Sequence, residues 1–190
     1  MKTKPILSEK NKKERIVYAI KHLKDDFDWS KWINSDEKKF NLDGPDGFHS
    51  FWAFDDLPPE IFSKDYNVRK SVMVWWAIWS TRKSELKEVK KKSNSKDYQE
   101  ILEDALLPCY ENGDIFQQDG ASIHQSKKTK SWLELKRIII EPWPAKSPDM
   151  SPIENLWAWL AKKVYGNKPR YNTIEELKDA IWKAWDLIIE

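Results

Sequence analysis

The stretch Ser71–Ser80, SVMVWWAIWS, is apolar at both odd and even positions. Side chains alternate between the two faces of a strand, so a strand of this kind has no side to turn to water. It belongs in the middle of a sheet covered on both faces, which restricts the chain to a layered architecture with helices above and below. A chain of 190 residues forms one such domain with room for a small extension. Twelve tryptophans supply bulk for the apolar layers, and five glycines are too few for a loop-dominated protein.

The helices that cover such a sheet are legible from their spacing. Ser8 is an N-cap for a helix whose Ile16, Ala19, Ile20 and Leu23 recur at helical intervals. Residues 1–30 therefore read as an N-terminal linker and helix, with residues 1–7 disordered, and residues 31–190 as the domain proper. Tyr98, Ile101, Leu102, Ala105 and Leu106 form a second apolar stripe, with Ser95 near its start and Pro108 at its end. A strand over 114–119, a helix over 126–135 with Trp132 and Leu133 inward, and a strand over 137–141 make a β-α-β unit with local parallel pairing. Glu85–Lys90 reads as a neighbour of the central strand. The helix from Pro152 is expected to bury Ile153, Leu156, Trp157, Leu160 and Val164. The last helix opens on the capping box Thr173–Glu176 and buries Ile174, Leu177, Ile181, Trp185 and Ile188. Asp43-Gly44-Pro45-Asp46-Gly47 marks a hairpin-like excursion.

Three acids stand out by where these elements put them. Trp32–Asp36 reads as a strand that delivers Asp36 at its exit. Ile115–Gln118 ends in Asp119-Gly120, and Glu154 lies in the first turn of the helix from Pro152. Two strand tips and one helix mouth converge on one site although they are far apart in sequence. Mg²⁺ suits such a site because it takes one or two carboxylates and keeps its other positions for water and phosphate oxygens. Two such ions about 4 Å apart clamp the attacking and leaving oxygens of a phosphodiester. Each acid also has a structural reading. Ser151-Pro152-Ile153-Glu154 is itself a capping box, Asp119-Gly120 a turn, and Asp36-Glu37 a solvated strand end. His124 either orients an acid or phosphate near Asp119 or lines the loop before a Ser126 cap. Lys127, Lys128 and Lys130 read as a solvated helix face, and Asp149 as a turn former.

Composition removes several classes of function. The lone Cys109 allows no intramolecular disulfide, and one cysteine with three scattered histidines allows no zinc cluster. The first residues lack the apolar core of a signal peptide, and the longest apolar run, Val72–Trp79, is too short to span a bilayer. A soluble intracellular protein is expected. The net charge of +2 decides little. Seven basic residues between Arg82 and Lys96 read as a solvated turn and helix start.

The three acids stand in an α/β chain that reads as a ribonuclease-H-like mixed sheet flanked by helices, and this arrangement resembles the catalytic domain of Tc/mariner-type transposases, the glutamate-ending branch of the DDE integrase/transposase architecture. The motifs that carry the resemblance include Asn34–Glu37, Phe40–Phe48, Ser71–Trp75 and Ile101–Asp104 before Leu106–Pro108. The strongest are Phe116–Asp119, Trp143–Asp149 and Ser151–Trp157, with 34 residues between Asp119 and Glu154. The likeness runs from about Lys12 to the C-terminus. It implies cut-and-paste DNA transposition, in which Asp36, Asp119 and Glu154 are the catalytic residues and hold two Mg²⁺ or Mn²⁺ ions, with His124 in support. It further implies double-stranded DNA partners (transposon ends and target), a homodimer on DNA, a clamp-like loop at about 40–55 that reaches the partner subunit, and nuclear localisation. The alternatives are a transposon-derived DNA-binding or dimerising protein without catalysis, and a plain ribonuclease-H-like nuclease. The chain departs from the pattern in Arg69-Lys70, Trp76 and Gly120, and only a short lysine-rich lead stands where paired helix-turn-helix modules are expected.

Overall fold

The computed structural model describes residues 7–23, 27–44, 70–166 and 170–188. Five strands form one mixed sheet. They are β1 (Trp32–Asn41), β2 (Ser71–Ile78), β3 (Lys87–Glu88), β4 (Ile115–Gln117) and β5 (Ile139–Ile140), ordered β3-β2-β1-β4-β5. β1 pairs antiparallel with β2 and parallel with β4, and β4 pairs parallel with β5. The expected local β-α-β unit is present, with α3 (Lys127–Leu135) between β4 and β5. Most of the excursion expected at about 40–55, including its reach toward a partner subunit, lies outside the described residues.

β2 divides its side chains as its composition demands. Val72, Val74, Trp76 and Ile78 enter one core with helices α4 (Ile153–Tyr165) and α5 (Ile174–Asp186). Trp75, Ala77 and Trp79 enter a second core with α2 (Ser95–Ile101), the helical turns that follow it, and α3. Trp75 and Trp76, adjacent in sequence, are both fully buried on opposite sides of one sheet. The expected apolar stripes hold: Leu102 and Leu106 from the 98–106 segment, Trp157 and Leu160 from α4, and Leu177 and Ile181 from α5 are all buried.

Four expectations are corrected. β1 does not end at Asp36 but continues to Asn41, because Asp36–Lys39 stay paired along β2 from the Asp36↔Trp76 register to Asn41↔Ser71. The four charged residues there hide a strand whose pairing is supplied by its apolar neighbour. The N-terminal helix α1 (Glu9–His22) is capped by Ser8 as expected, yet it buries Tyr18 and His22. Ile16, Ile20 and Leu23 face outward, because Tyr18 and His22 pack into an aromatic nest with Phe27, Trp29, Trp32 and Trp143. Finally, Ser151 does not cap α4. The helix begins on Pro152 with no side-chain cap, and the Ser151 hydroxyl is buried without a hydrogen-bond partner. At α5, Thr173 does accept from the Glu176 N–H, but the Glu176 carboxylate takes the N–H of Asn172 instead of closing the box on Thr173.

Trp76 is the centre of the α4/α5 core, edge-on to Trp185 at 4.1 Å and to Trp157 at 5.5 Å. Trp76→Ala is expected to cost about 3–5 kcal/mol in urea denaturation, the usual range for emptying a large aromatic site. Trp76→Phe should cost less than half as much, since it keeps a ring and removes an indole N–H that has no partner here. Equal losses for both variants would show that ring packing does not govern this core.

Candidate active site

The sheet's register gathers the acids. β1 and β4 pair in parallel with Trp32↔Ile115, Ile33↔Phe116 and Asn34↔Gln117. Carrying that alignment on by two residues sets Asp119 abreast of Asp36, and the Ser35 hydroxyl, which donates to the Gln117 carbonyl at 2.8 Å, keeps the two chains together there. Neighbouring strands are about 4.8 Å apart, so the two acids stand at matched positions of adjacent chains, although the charges that act on Asp36 are those of Glu37 and Glu154. Asp36 thus lies within its strand, and Asp119 stands two residues beyond β4, as expected at a strand tip.

Asp36 faces the α4 side. The Trp157 indole N–H donates to Asp36 Oδ2 at 2.9 Å. Glu154 precedes Trp157 by one helical turn on α4, which turns it toward the same place. The Asp36 carboxyl is pushed up to about 7, first by burial and then by the negative charges of Glu37 and Glu154. No lysine or arginine is among the charges that shift it. Half-buried Glu154 lines an open groove of about 200 Å³ with Lys38, Lys39, Phe40 and Trp157. Because Ser151 makes no cap, Glu154 has no partner in a capping box and is not held by that structural role.

Asp119 faces differently. Its Oδ1 accepts from His124 Nδ1 at 2.6 Å and from the Ala121 N–H at 2.9 Å. The His124 bond is the main reason its pKa lies below the usual carboxylate range, against the opposing effect of burial. His124 is buried, and its Nε2 lies 3.3 Å from Glu37 Oε1, an ion-pair distance without hydrogen-bond alignment. Burial pulls the imidazole pKa down, but Asp119 and Glu37 together outweigh it and lift it to about 9. The ring stacks against Tyr98 with centroids 4.2 Å apart.

Asp36 and Glu154 therefore lie within one another's field, with Asp119 alongside but turned toward His124. Among the described residues, no three histidine, cysteine or acidic side chains close around a single point. The donor chemistry nonetheless fits a hard divalent cation: the charges of Glu37 and Glu154 both act on Asp36, whose carboxyl is costly to ionise, and no lysine or arginine is among the charges that act on it. The sequence pattern found Asp36, Asp119, Glu154 and His124 but missed Glu37 and Trp157. Alternation along β1 could have placed Glu37 on the face opposite Asp36. The three-residue step on α4 could have placed Trp157 beside Glu154.

Residues 31–178 match the family model described as DDE superfamily endonuclease. The Tc3 transposase of Caenorhabditis elegans is 43% identical over 188 residues, covering 97% of this chain and 56% of that protein. The chain thus spans little more than half the length of this relative. The fold is similar to the chain in the pre-cleavage Mos1 transpososome, with a TM-score of 0.77 at 18% identity, covering 100% of this chain and 59% of that one. It is also similar to the mariner Mos1 paired end complex with Mg, with a TM-score of 0.72 at 18% identity, covering 98% and 58%.

The acid cluster predicts how stability depends on pH. A carboxyl whose folded pKa lies above its unfolded value binds its proton more tightly when folded, so the stability it contributes is lost as pH rises from about 4 through about 7. His124 contributes stability below about 6.5 that is lost as pH rises through about 9. Asp36→Asn keeps an acceptor for Trp157 and removes the charge. In divalent-free buffer it should melt higher than the parent at pH 8, by an amount on the order of a few kcal/mol. That gain should be absent at pH 4, with the decline between pH 7 and 9 retained. A variant no more stable than the parent at pH 8 would refute the crowding of charge at Asp36.

Proposed function

Because the chain belongs to the DDE superfamily endonucleases, we propose that it is the catalytic domain of a DNA transposase of the Tc1/mariner type, cleaving DNA at transposon ends and joining the freed 3′ ends to a target. Asp36, Asp119 and Glu154 would hold two divalent cations, Mg²⁺ or Mn²⁺, as the catalytic set. The observation that carries the reading is Asp36, a half-buried carboxylate crowded by Glu37 and Glu154, with no lysine or arginine among the charges that act on it. A folded chain retains such a cluster at a cost, and binding a cation would remove that cost. The Mos1 paired end complex with Mg lends support from a structure of similar fold.

When bound, the ions supply Lewis-acid polarisation of the phosphodiester and a lowered pKa for the attacking hydroxyl. The chain's own groups do the rest. Trp157 fixes Asp36 Oδ2 and so sets the rotamer of one ligand. The first turn of α4 places Glu154 where its charge acts on Asp36. Lys38 and Lys39 border the groove beside Glu154, where a DNA phosphate would pass. The partners in this reading are double-stranded transposon-end and target DNA, bridged by a homodimer, and the protein acts in the nucleus, where that DNA resides. Among the described residues, no helix is long and apolar enough to cross a membrane. A DNA-binding or dimerising protein without catalysis is the second reading, favoured because, among the described residues, no three histidine, cysteine or acidic side chains close around one point.

Strand cleavage and strand transfer on pre-nicked duplex DNA separate the two. With Mg²⁺ or Mn²⁺, the 190-residue chain should cut and join, while Asp36→Asn and Glu154→Gln each lose about 10²-fold or more. Glu154→Gln should melt no lower than the parent, because no capping bond depends on its charge and its loss relieves Asp36. Binding of the nicked duplex with no cleavage in either metal would leave the non-catalytic reading standing.

A further inference from the structure

Asp119 is held by something other than the turn it sits in. One of its oxygens, Oδ1, takes both protein hydrogen bonds, from His124 and from Ala121, and Oδ2 takes none among the described residues. His124 is 2% exposed and cannot swing away without opening the α2/α3 side of the sheet. Its ring is packed on one face and flanked at both nitrogens. Tyr98 stacks on one face, and the Tyr98 hydroxyl donates to Gln118 Oε1 at 2.8 Å. The backbone around the histidine is pinned as well. Thr129 Oγ1 donates to the Ile123 carbonyl at 2.6 Å, the Gln125 N–H to the Ala121 carbonyl at 3.0 Å, and Ser126 caps α3 while sharing a hydrogen bond with Ser95. At the far edge of the ring stands Glu37, on β1 immediately after Asp36.

A path of contacts therefore runs from β1 through Glu37 and His124 to the exposed loop that carries Asp119. The loop after β4 has left the sheet ladder, so no ladder hydrogen bonds fix the backbone that carries Asp119. A carboxylate in that position needs an outside brace if one of its oxygens is to stay oriented.

We propose that His124 is a positioning residue for Asp119: braced by Tyr98 and Glu37, it fixes Oδ1 through its Nδ1–H and so presents Oδ2 for the divalent cation. This rests on the metal-site reading above and adds a residue that would touch neither metal nor DNA. Hydrogen-bonded partners of metal ligands characteristically change metal affinity about 10–100-fold when removed.

Two neutral substitutions separate placement from charge. His124→Asn keeps an amide N–H near the position of Nδ1, within reach of Asp119, whereas His124→Gln carries its amide farther out, toward the position of Nε2. Both remove the imidazolium charge, so any difference between them reports where the N–H sits. Each 190-residue variant would be titrated with Mn²⁺ alone, following free Mn²⁺ by electron paramagnetic resonance, with melting temperature and single-turnover cleavage of a pre-nicked duplex recorded beside it. The expected result is that His124→Asn binds Mn²⁺ about 10-fold or more tightly than His124→Gln, at similar melting temperatures, and that cleavage at saturating Mn²⁺ follows the same order. Equal Mn²⁺ affinity in the two, or an order that simply follows melting temperature, would overturn the positioning role. Asp119→Ala tells the two possible failures apart. Parental affinity in Asp119→Ala would overturn the metal-site reading and this inference with it. Lost affinity in Asp119→Ala, with Asn and Gln variants alike, would overturn the positioning role alone.

Discussion

β2 has no polar side, and both of its faces have to be kept from water at once. Helices α4 and α5 close one side over Trp76, and the α2/α3 layer closes the other over Trp75. Burying each indole removes roughly 150–250 Å² of ring surface, worth several kcal/mol by area and an upper bound because unfolded chains already hide part of it. The consequence for the site is indirect but strict. With β2 clamped between two layers, β1 is held from Asn34 to Asn41 by antiparallel pairing, although it carries charge at Asp36, Glu37, Lys38 and Lys39. Isolated, that charged stretch would be a poor strand. The apolar strand beside it fixes its register, and its register fixes which carboxylate faces which layer.

From this follows the division of the site into two halves. Asp36 and Glu37 are consecutive in β1, so their side chains leave the sheet on opposite sides. Asp36 meets Trp157 and the field of Glu154 on the α4 side, whereas Glu37 meets His124 on the α2/α3 side. Asp119, beyond the tip of β4, is turned to the second half through His124. The electrostatics of the halves oppose one another. Asp36 is crowded by acids and resists ionisation, while Asp119 is stabilised as an anion by the imidazole beside it. A chain optimised only for stability would exchange Asp36 for a neutral residue. Keeping it costs stability, which is what a site selected for chemistry and not for folding alone would show.

Much of this was legible from residue order, because the strongest constraints are local. The two-faced strand, the acid at the tip of β4, the Ser126 cap and the acid in the first turn of α4 each follow from a few adjacent residues. What was not legible depends on partners distant in sequence. The span of β1 beyond Asp36 exists because β2 pairs with it, and four consecutive charged residues give no apolar periodicity to announce it. The inward face of α1 was misassigned because Ile16, Ala19 and Ile20 make the better aliphatic stripe. Tyr18 and His22 win the buried face by packing against Trp32 and Trp143, which no local pattern predicts. The box at Ser151 has the right residues at the right spacing, yet Pro152 enters the helix before the hydroxyl can reach an N–H.

α1 connects the N-terminal region to the site by the same long-range means. Arg15 forms a forked pair with Asp149, donating to Oδ1 at 2.8 Å, and its Nη1 also donates to the Lys146 carbonyl. Lys21 pairs with Glu141 at the end of β5. Both anchors fall on the segment that runs from β5 into α4, and Lys146 within it holds a positive φ of 57° that a non-glycine residue adopts only when its surroundings enforce it. That segment decides where α4 begins, and the start of α4 decides where Glu154 points. An exposed ion pair alone contributes little to stability, but a bidentate guanidinium–carboxylate fork fixes geometry more than it adds energy. The helix at the start of the chain is therefore coupled to the last of the three acids through one loop. Its seating on the aromatic nest and the aim of Glu154 are parts of the same packing solution.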